Sequence, residues 1–169
     1  MTTAEPVEIA PPAKVTELQL FDRVDYQDAY SVDTTVDRTP EQWMRAFVED
    51  APIWFKVPWA GVGKVLLGAR FGPLTPTSGY IVGWKVLDDR PDVFVVGLDS
   101  AGGLLARMVA VTTPGQAVVA TQISLDSAYA RALWPVIRRG HRFFAPYLLG
   151  RAAASLQGRK SNHDDTKRV

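Results

Sequence analysis

From Asp126 to Leu156 the chain reads DSAYARALWPVIRRGHRFFAPYLLGRAAASL, and its apolar positions recur near helical spacing. Leu133, Val136, Ile137, Phe144, Tyr147, Leu148 and Leu156 form one wide stripe. The frequent Ala and Leu favour helix. Asp126 offers a carboxylate to the first free amides, as a cap does. Pro135 and Pro146 each remove a backbone donor and clash with the preceding turn, at about 3 kcal/mol or more in a helix interior. The pattern predicts a long helix, bent or pieced near Trp134–Pro135 and kinked at Pro146.

Upstream the period changes to two. Tyr80, Val82, Trp84 and Val86 alternate with Ile81, Gly83, Lys85 and Leu87, which predicts a strand from Gly79 to Leu87. Asp88-Asp89-Arg90-Pro91 then reads as a turn. Further strands are predicted over Val93–Leu98, Leu104–Val111 and Gln116–Leu125. Asp99-Ser100-Ala101-Gly102-Gly103 and Thr113-Pro114-Gly115 supply the turns between them, so these four form an antiparallel meander. An earlier strand places Tyr26, Asp28, Tyr30 and Val32 on one face and Gln27, Ala29 and Ser31 on the other. It is the first strand of the sheet and a candidate edge.

Between that strand and the meander lie two helices. Thr39-Pro40-Glu41-Gln42 starts one: Thr39 caps, Pro40 takes the first position, and Gln42 reaches back to complete a capping box. Trp43, Met44, Phe47 and Val48 are its buried stripe, and Pro52 stops it. The apolar stretch IWFKVPWAGVGKVLLGARFG predicts a second, irregular helix from Trp59 to Ala69, or else a cap over one end of the sheet. Residues 1–19 lack periodicity and read as a flexible arm. From residue 157 the chain is polar and charged and reads as a disordered tail, leaving one domain over residues 20–156. The fold class is α+β: strand, two helices, strand meander and long C-terminal helix. One face of the sheet needs the long helix as cover, and a sheet curved around that helix leaves a hollow between them.

The 169 residues suit a single core. A net charge of +1 gives no global electrostatic case for nucleic acid. There are no cysteines, which excludes disulfides and thiolate metal sites. No signal-like segment opens the chain, and no run of about 18 uncharged apolar residues suggests a span. A cytoplasmic protein, monomer or homodimer, is the expectation. No motif implies a cofactor. Gly61-Val62-Gly63-Lys64-Val65 fails as a phosphate loop, because Pro58 stands at the first glycine and Val65 replaces the hydroxyl residue. It fails as a dinucleotide fingerprint because Leu66 replaces the third glycine.

His141 is the one histidine within the predicted domain, since His163 falls in the tail. It stands beside the apolar stripe, four residues after Ile137 and three before Phe144. Two roles fit: a polar group at a pocket mouth that bonds a ligand oxygen or moves a proton, or a histidine bonded to a strand carbonyl or to Asp28. Without a second histidine nearby, zinc is not expected. Arg138, Arg139, Arg142 and Arg151 make this helix basic, either to hold an anionic group or as a solvated face. Arg107 interrupts an apolar strand, on the face of Leu105, Val109 and Val111. Either that face is the outer one, or Arg107 pairs with a carboxylate or a ligand inside. Trp43 and Phe47 are core. Trp59, Tyr80 and Trp84 are candidates either for core or for a cavity wall.

The order of elements is similar to the helix-grip fold of the START and Bet v 1 (SRPBCC) superfamily. More narrowly, VDYQDAYSV, APIW and HRFFAPYLL resemble a bacterial family known as domain of unknown function 2867. Its members carry an Asp-Tyr-x-Asp stretch, here Asp25, Tyr26 and Asp28. They also carry a His-Arg pair followed by proline in the last helix, here His141, Arg142 and Pro146. Where members often place a proline two residues before the histidine, this chain has Arg139. The resemblance runs from Phe21 to Leu156. That family implies no activity. The superfamily implies a pocket for an apolar small molecule, converted in some members and only held in others.

The leading expectation is therefore a non-catalytic pocket between sheet and long helix, lined by Trp59, Tyr80, Trp84, Arg107, His141 and Phe144, for a hydrophobic or aromatic molecule. One alternative is a cyclase- or dehydratase-like enzyme with His141, aided by Asp28 or Tyr26, as acid–base group. Another is an interaction domain whose Ile53–Phe71 region docks a protein.

Overall fold

The computed structural model describes residues 5–166 in the main chain, with side chains through Arg159. Residues 1–4 and 167–169, parts of the expected arm and tail, lie outside the described residues. Among the described residues seven strands form one open antiparallel sheet. In chain order they are β1 (Val7–Ile9), β2 (Tyr26–Asp33), β3 (Tyr80–Ile81), β4 (Trp84–Arg90), β5 (Val93–Asp99), β6 (Leu104–Thr113) and β7 (Gln116–Leu125). In space they run β1-β2-β7-β6-β5-β4-β3. The helices among the described residues are α1 (Ala13–Thr16), α2 (Pro40–Glu49), α3 (Ile53–Leu66) and α4 (Ala128–Thr166).

The hairpins β4–β5, β5–β6 and β6–β7 are the expected meander. Its last strand pairs with β2 from Tyr26↔Ile123 to Asp33↔Gln116. β2 is not an edge, because β1 adds outside it with Val7 opposite Ser31. That pairing overturns the flexible arm. The inner face packs Tyr30, Val32, Val96, Met108 and Val119 against Trp43 and Met44 of α2 and Leu149 and Leu156 of α4. The outer face is apolar too: Val93, Val95, Val109, Val111, Val118 and Ala120 lie beneath Val15, with Ile9, Leu18 and Leu20 alongside. A sheet apolar on both faces needs cover on both, and the N-terminal segment provides the second. Val15 is 0% exposed. One helical turn and three strand residues are too few to show a period.

Two other expectations change. The strand over Gly79–Leu87 is broken at Val82 and Gly83, whose φ values are 44° and 85°. They form a two-residue turn that sets Ile81 opposite Trp84. Positive φ at both central residues matches the twist of a tight hairpin, but a β-branched valine there gives no sequence signal. β4 then runs on through Asp88, Asp89 and Arg90, with a register shift between Val86 and Asp88. The turn is confined to Pro91 and Asp92.

α2 begins with the expected capping box: Gln42 N–H donates to Thr39 Oγ1 at 3.2 Å and Thr39 N–H to Gln42 Oε1 at 3.1 Å. α3 begins directly after Pro52, earlier than the expected Trp59, and ends at Leu66. α4 is capped by Ser127 rather than Asp126. Ser127 Oγ accepts from Ala130 N–H at 2.9 Å and donates to Gly102 O at 2.5 Å, while Asp126 accepts from Ser124 Oγ at 2.9 Å. Gly103 has φ +83°, and a Cβ there would come within 2.8 Å of Ser127, so the hairpin must pass the helix start without a side chain. α4 is one helix with Pro135 and Pro146 inside it, not two pieces. It also continues to Thr166 where a disordered tail was expected. Asp50 anchors this extension, accepting from Ser155 Oγ at 2.6 Å and from Arg159 Nη2 at 3.1 Å.

Truncating Val15, which roofs the outer face, is expected to cost about 2 kcal/mol, as other deletions of buried methyl groups do. Urea unfolding of Val15→Ala measures it, and an unchanged midpoint would show that the N-terminal segment is not part of the cooperative core.

Candidate functional site

A cavity of about 550 Å³ lies between the inner face of the sheet, α3 and α4. Small or short side chains make its floor: Ala106 of β6 and Thr121 of β7, beside Met108 and Ile123. Bulky ones make its walls. Trp84 stacks on Trp59 at 5.7 Å with an 18° tilt between planes, Trp59 neighbours Phe55 at 6.5 Å, and Phe55 meets Phe144 of α4 at 4.5 Å. This chain of rings runs from the sheet, through α3, to α4. It holds α3 away from the sheet and so keeps the space open. Gly63 gives the approach its clearance, since a Cβ there would sit 3.2 Å from the Phe71 ring.

Few polar side chains reach the cavity. Ser100 Oγ is engaged by Leu104 N–H at 3.0 Å, and Lys56 Nζ donates to Glu49 O at 2.8 Å. Thr121 and His141 remain. His141 Nε2 lies 2.9 Å from Asp28 Oδ2, and Tyr26 donates its hydroxyl to the same oxygen at 2.7 Å. The Asp28 side chain is 3% exposed and stands opposite Thr121 in the sheet register. Its Oδ1 is buried without a partner among the described residues. A buried carboxylate persists only if hydrogen bonded. With Nε2 directed at the Asp28 carboxylate, Nδ1 is the imidazole nitrogen without a partner among the described residues. An imidazole oriented in this way hydrogen bonds a ligand oxygen or carries a proton.

Burial above all, and then the hydrogen bond to Asp28, raises the Tyr26 pKa above its ordinary 10.0. Burial and the Asp28 charge raise that of Tyr30 as well. Tyr26 thus remains a neutral donor at any ordinary pH. Its ring is fixed by Trp134 at 4.9 Å and by the Arg138 guanidinium 5.5 Å above it. Among the described residues no group of His, Asp and Glu converges as a metal site would require.

Of the residues expected to bind a ligand, Trp59, Trp84, His141 and Phe144 line the cavity. Tyr80 does not. The Val82-Gly83 turn puts it on a different strand from Trp84, and its ring lies against Gly72. Arg107 does not either. Alternation from Ala106 and Met108 sends it to the outer face, where it meets Asp99 Oδ1 at 2.6 Å and the Phe21 ring at 4.7 Å. Arg142 is held by Glu8 of β1 at 2.7 Å, so it ties α4 to the sheet edge. No sequence signal marks Thr121 or Ala106 as floor, because small residues on a strand carry no pattern of their own. Phe55 was hidden by the late start assigned to its helix.

No protein-family model matches the chain, and no curated protein matches it. Similar solved structures include protein Ms6760 from Mycobacterium smegmatis, 14% identical, covering 78% of this chain and 91% of that one, with a TM-score of 0.42. Hypothetical protein jhp0584 from Helicobacter pylori is 11% identical, with 82% and 92% covered and a TM-score of 0.42. Mll3558 from Rhizobium loti is 17% identical, with 79% and 97% covered and a TM-score of 0.36.

The raised Tyr26 pKa has a consequence at alkaline pH. Below the ordinary tyrosine value of 10.0 both folded and unfolded chains hold the proton, and the full stability is present. Above it the unfolded chain releases the proton while the folded one retains it, so stability falls as pH rises. Urea midpoints taken from pH about 8 to about 11 should fall more steeply for the wild type than for Tyr26→Phe. Equal slopes would mean that Tyr26 ionises freely in the folded protein.

Proposed function

We propose that the protein binds a hydrophobic or aromatic small molecule in the cavity between sheet and α4. The carrying observation is the cavity itself: about 550 Å³, walled by aromatic rings, with His141 at one side. Ligand pockets typically enclose roughly 300–1,000 Å³ with few polar groups to orient the guest. A flat ring or short acyl chain matches the space between this aromatic wall and the Ala106–Thr121 floor, with one oxygen directed to His141 or Thr121. The reading extends to the architecture. The sheet curves around α4 in a helix-grip arrangement, consistent with the resemblance to the START and Bet v 1 superfamily and to the domain of unknown function 2867 family.

A second reading has one observation in its favour, the 2.9 Å contact between His141 and Asp28 beside the cavity. It makes the protein an acid–base enzyme of the cyclase or dehydratase kind, with His141 as proton carrier and Asp28 as its positioning residue. The two readings separate at one position. His141→Phe leaves an apolar binder able to bind, whereas it removes turnover from an enzyme.

Native mass spectrometry of gently purified protein is expected to show a bound apolar molecule. Ala106→Phe places a ring on the cavity floor and should weaken binding of an anilinonaphthalene dye at least about tenfold while the fold is kept. Dye affinity equal in Ala106→Phe and wild type would place binding elsewhere and remove the proposal.

A further inference from the structure

α3 is apolar on nearly every side, yet Gly63 is its one fully buried residue. A helix of that composition normally lies inside a protein. Here the inner side lines the cavity and the outer side meets water. Ile53, Val57 and Val65 are 70%, 62% and 81% exposed, and none of them lines the cavity. α4 extends the same surface: exposed Tyr147 lies 6.2 Å from exposed Trp54, and Val136 and Phe143 are exposed as well. Trp54, Val62 and Val136 belong both to this surface and to the cavity wall. The mouth of the cavity is thus rimmed by apolar side chains, where a mouth meant for water is polar.

The charges here share one sign. From Ala51 to Leu87 the chain has four basic residues, Lys56, Lys64, Arg70 and Lys85, and no carboxylate. From Ser127 to His163 it has seven basic residues and again no carboxylate. The net charge of +1 conceals this division, because all 18 acidic residues lie in other segments. Arg139 is three residues after Val136 and four before Phe143, on their side of α4. Neither Lys64 nor Arg139 forms an ion pair among the described residues.

We infer that this face docks on an anionic lipid bilayer, with α3 in the headgroup layer and the cavity mouth turned toward the lipid. Tryptophan beside lysine on an apolar helix is the composition of an interfacial segment, and basic residues at its border are attracted by anionic headgroups. A second copy of the chain suits the face less well. A twofold contact sets a surface against itself, and Lys56, Lys64 and Arg139 would then meet cations. The contact is peripheral, since among the described residues no helix is long and apolar enough to cross a membrane. An apolar guest would pass between bilayer and cavity without crossing water. Docking stands whether or not the cavity is filled.

Flotation of the full chain with phosphatidylcholine vesicles, with and without roughly a third phosphatidylserine, tests this. The protein should float with the anionic vesicles, release as salt is added, and bind neutral ones at least about tenfold more weakly. Val65→Glu, and separately the double variant Lys64→Glu with Arg139→Glu, should each lower anionic-vesicle binding about tenfold. Dye binding and melting temperature should not change, because none of these side chains lines the cavity. The double variant removes no apolar contact and keeps the test intact if Val65→Glu unfolds. Absence of flotation with both vesicle types overturns the inference, as does equal binding to both. A dimer in sedimentation equilibrium that Val65→Glu dissociates, without vesicle binding, assigns the face to a second copy instead.

Discussion

The central strands of this sheet are apolar on both faces, and a sheet of that kind must be covered twice. β7 buries every residue from Ala117 to Leu125. The two covers are unequal. On the outer face a short N-terminal strand and one helical turn lie directly on valines. On the inner face α2 and α4 press on part of the sheet, while α3 is propped off the rest by stacked rings. The cavity follows from that inequality. It needs no unusual residue, only small side chains on the floor and large ones on the supports.

α4 is held to the rest of the protein by polar contacts at two places along its length. Toward the first half of the helix, His141 meets Asp28 and Arg142 meets Glu8. Further along, Ser155 and Arg159 grip Asp50 at the end of α2. Between these points the helix presents Phe144 and Leu148 to the cavity. Asp28 is the costliest of these groups to bury, and its two hydrogen-bonding neighbours, Tyr26 and His141, come from the sheet and from the helix. Its carboxylate thus joins the two layers at the cavity's polar side. Structural support and any chemistry at His141 depend on the same oxygen, Asp28 Oδ2.

Much of this was legible in the chain. Thr39-Pro40-Glu41-Gln42 named its helix start because capping is local chemistry. The meander was legible because its turns carry Gly and Pro. What escaped detection depends on distant partners. Val82 accepts a positive φ because the hairpin it closes is held by Ile81 and Trp84, and nothing in its own neighbourhood announces that. Ser127 displaced Asp126 as cap because its hydroxyl serves both Ala130 and the hairpin carbonyl of Gly102. The role of residues 5–19 was written in the doubly apolar strands they cover rather than in themselves. Alternation sets Arg107 on the face of Val109 and Val111, but with both faces apolar it does not say which of them looks away from the cavity.

The register joining Tyr26 to Ile123 also says something about how the protein comes into being. A chain emerging from the ribosome exposes β2 long before its main partner exists. α2 and α3 form from local contacts, but sheet continuity waits for β7, and the cavity's far wall waits for α4 behind it. Acquisition of native order is therefore a late and collective event, governed by closure of the long loop between Asp33 and Gln116. Until then a half-made strand and an apolar helix travel together unprotected, the period in which a nascent chain relies most on chaperones.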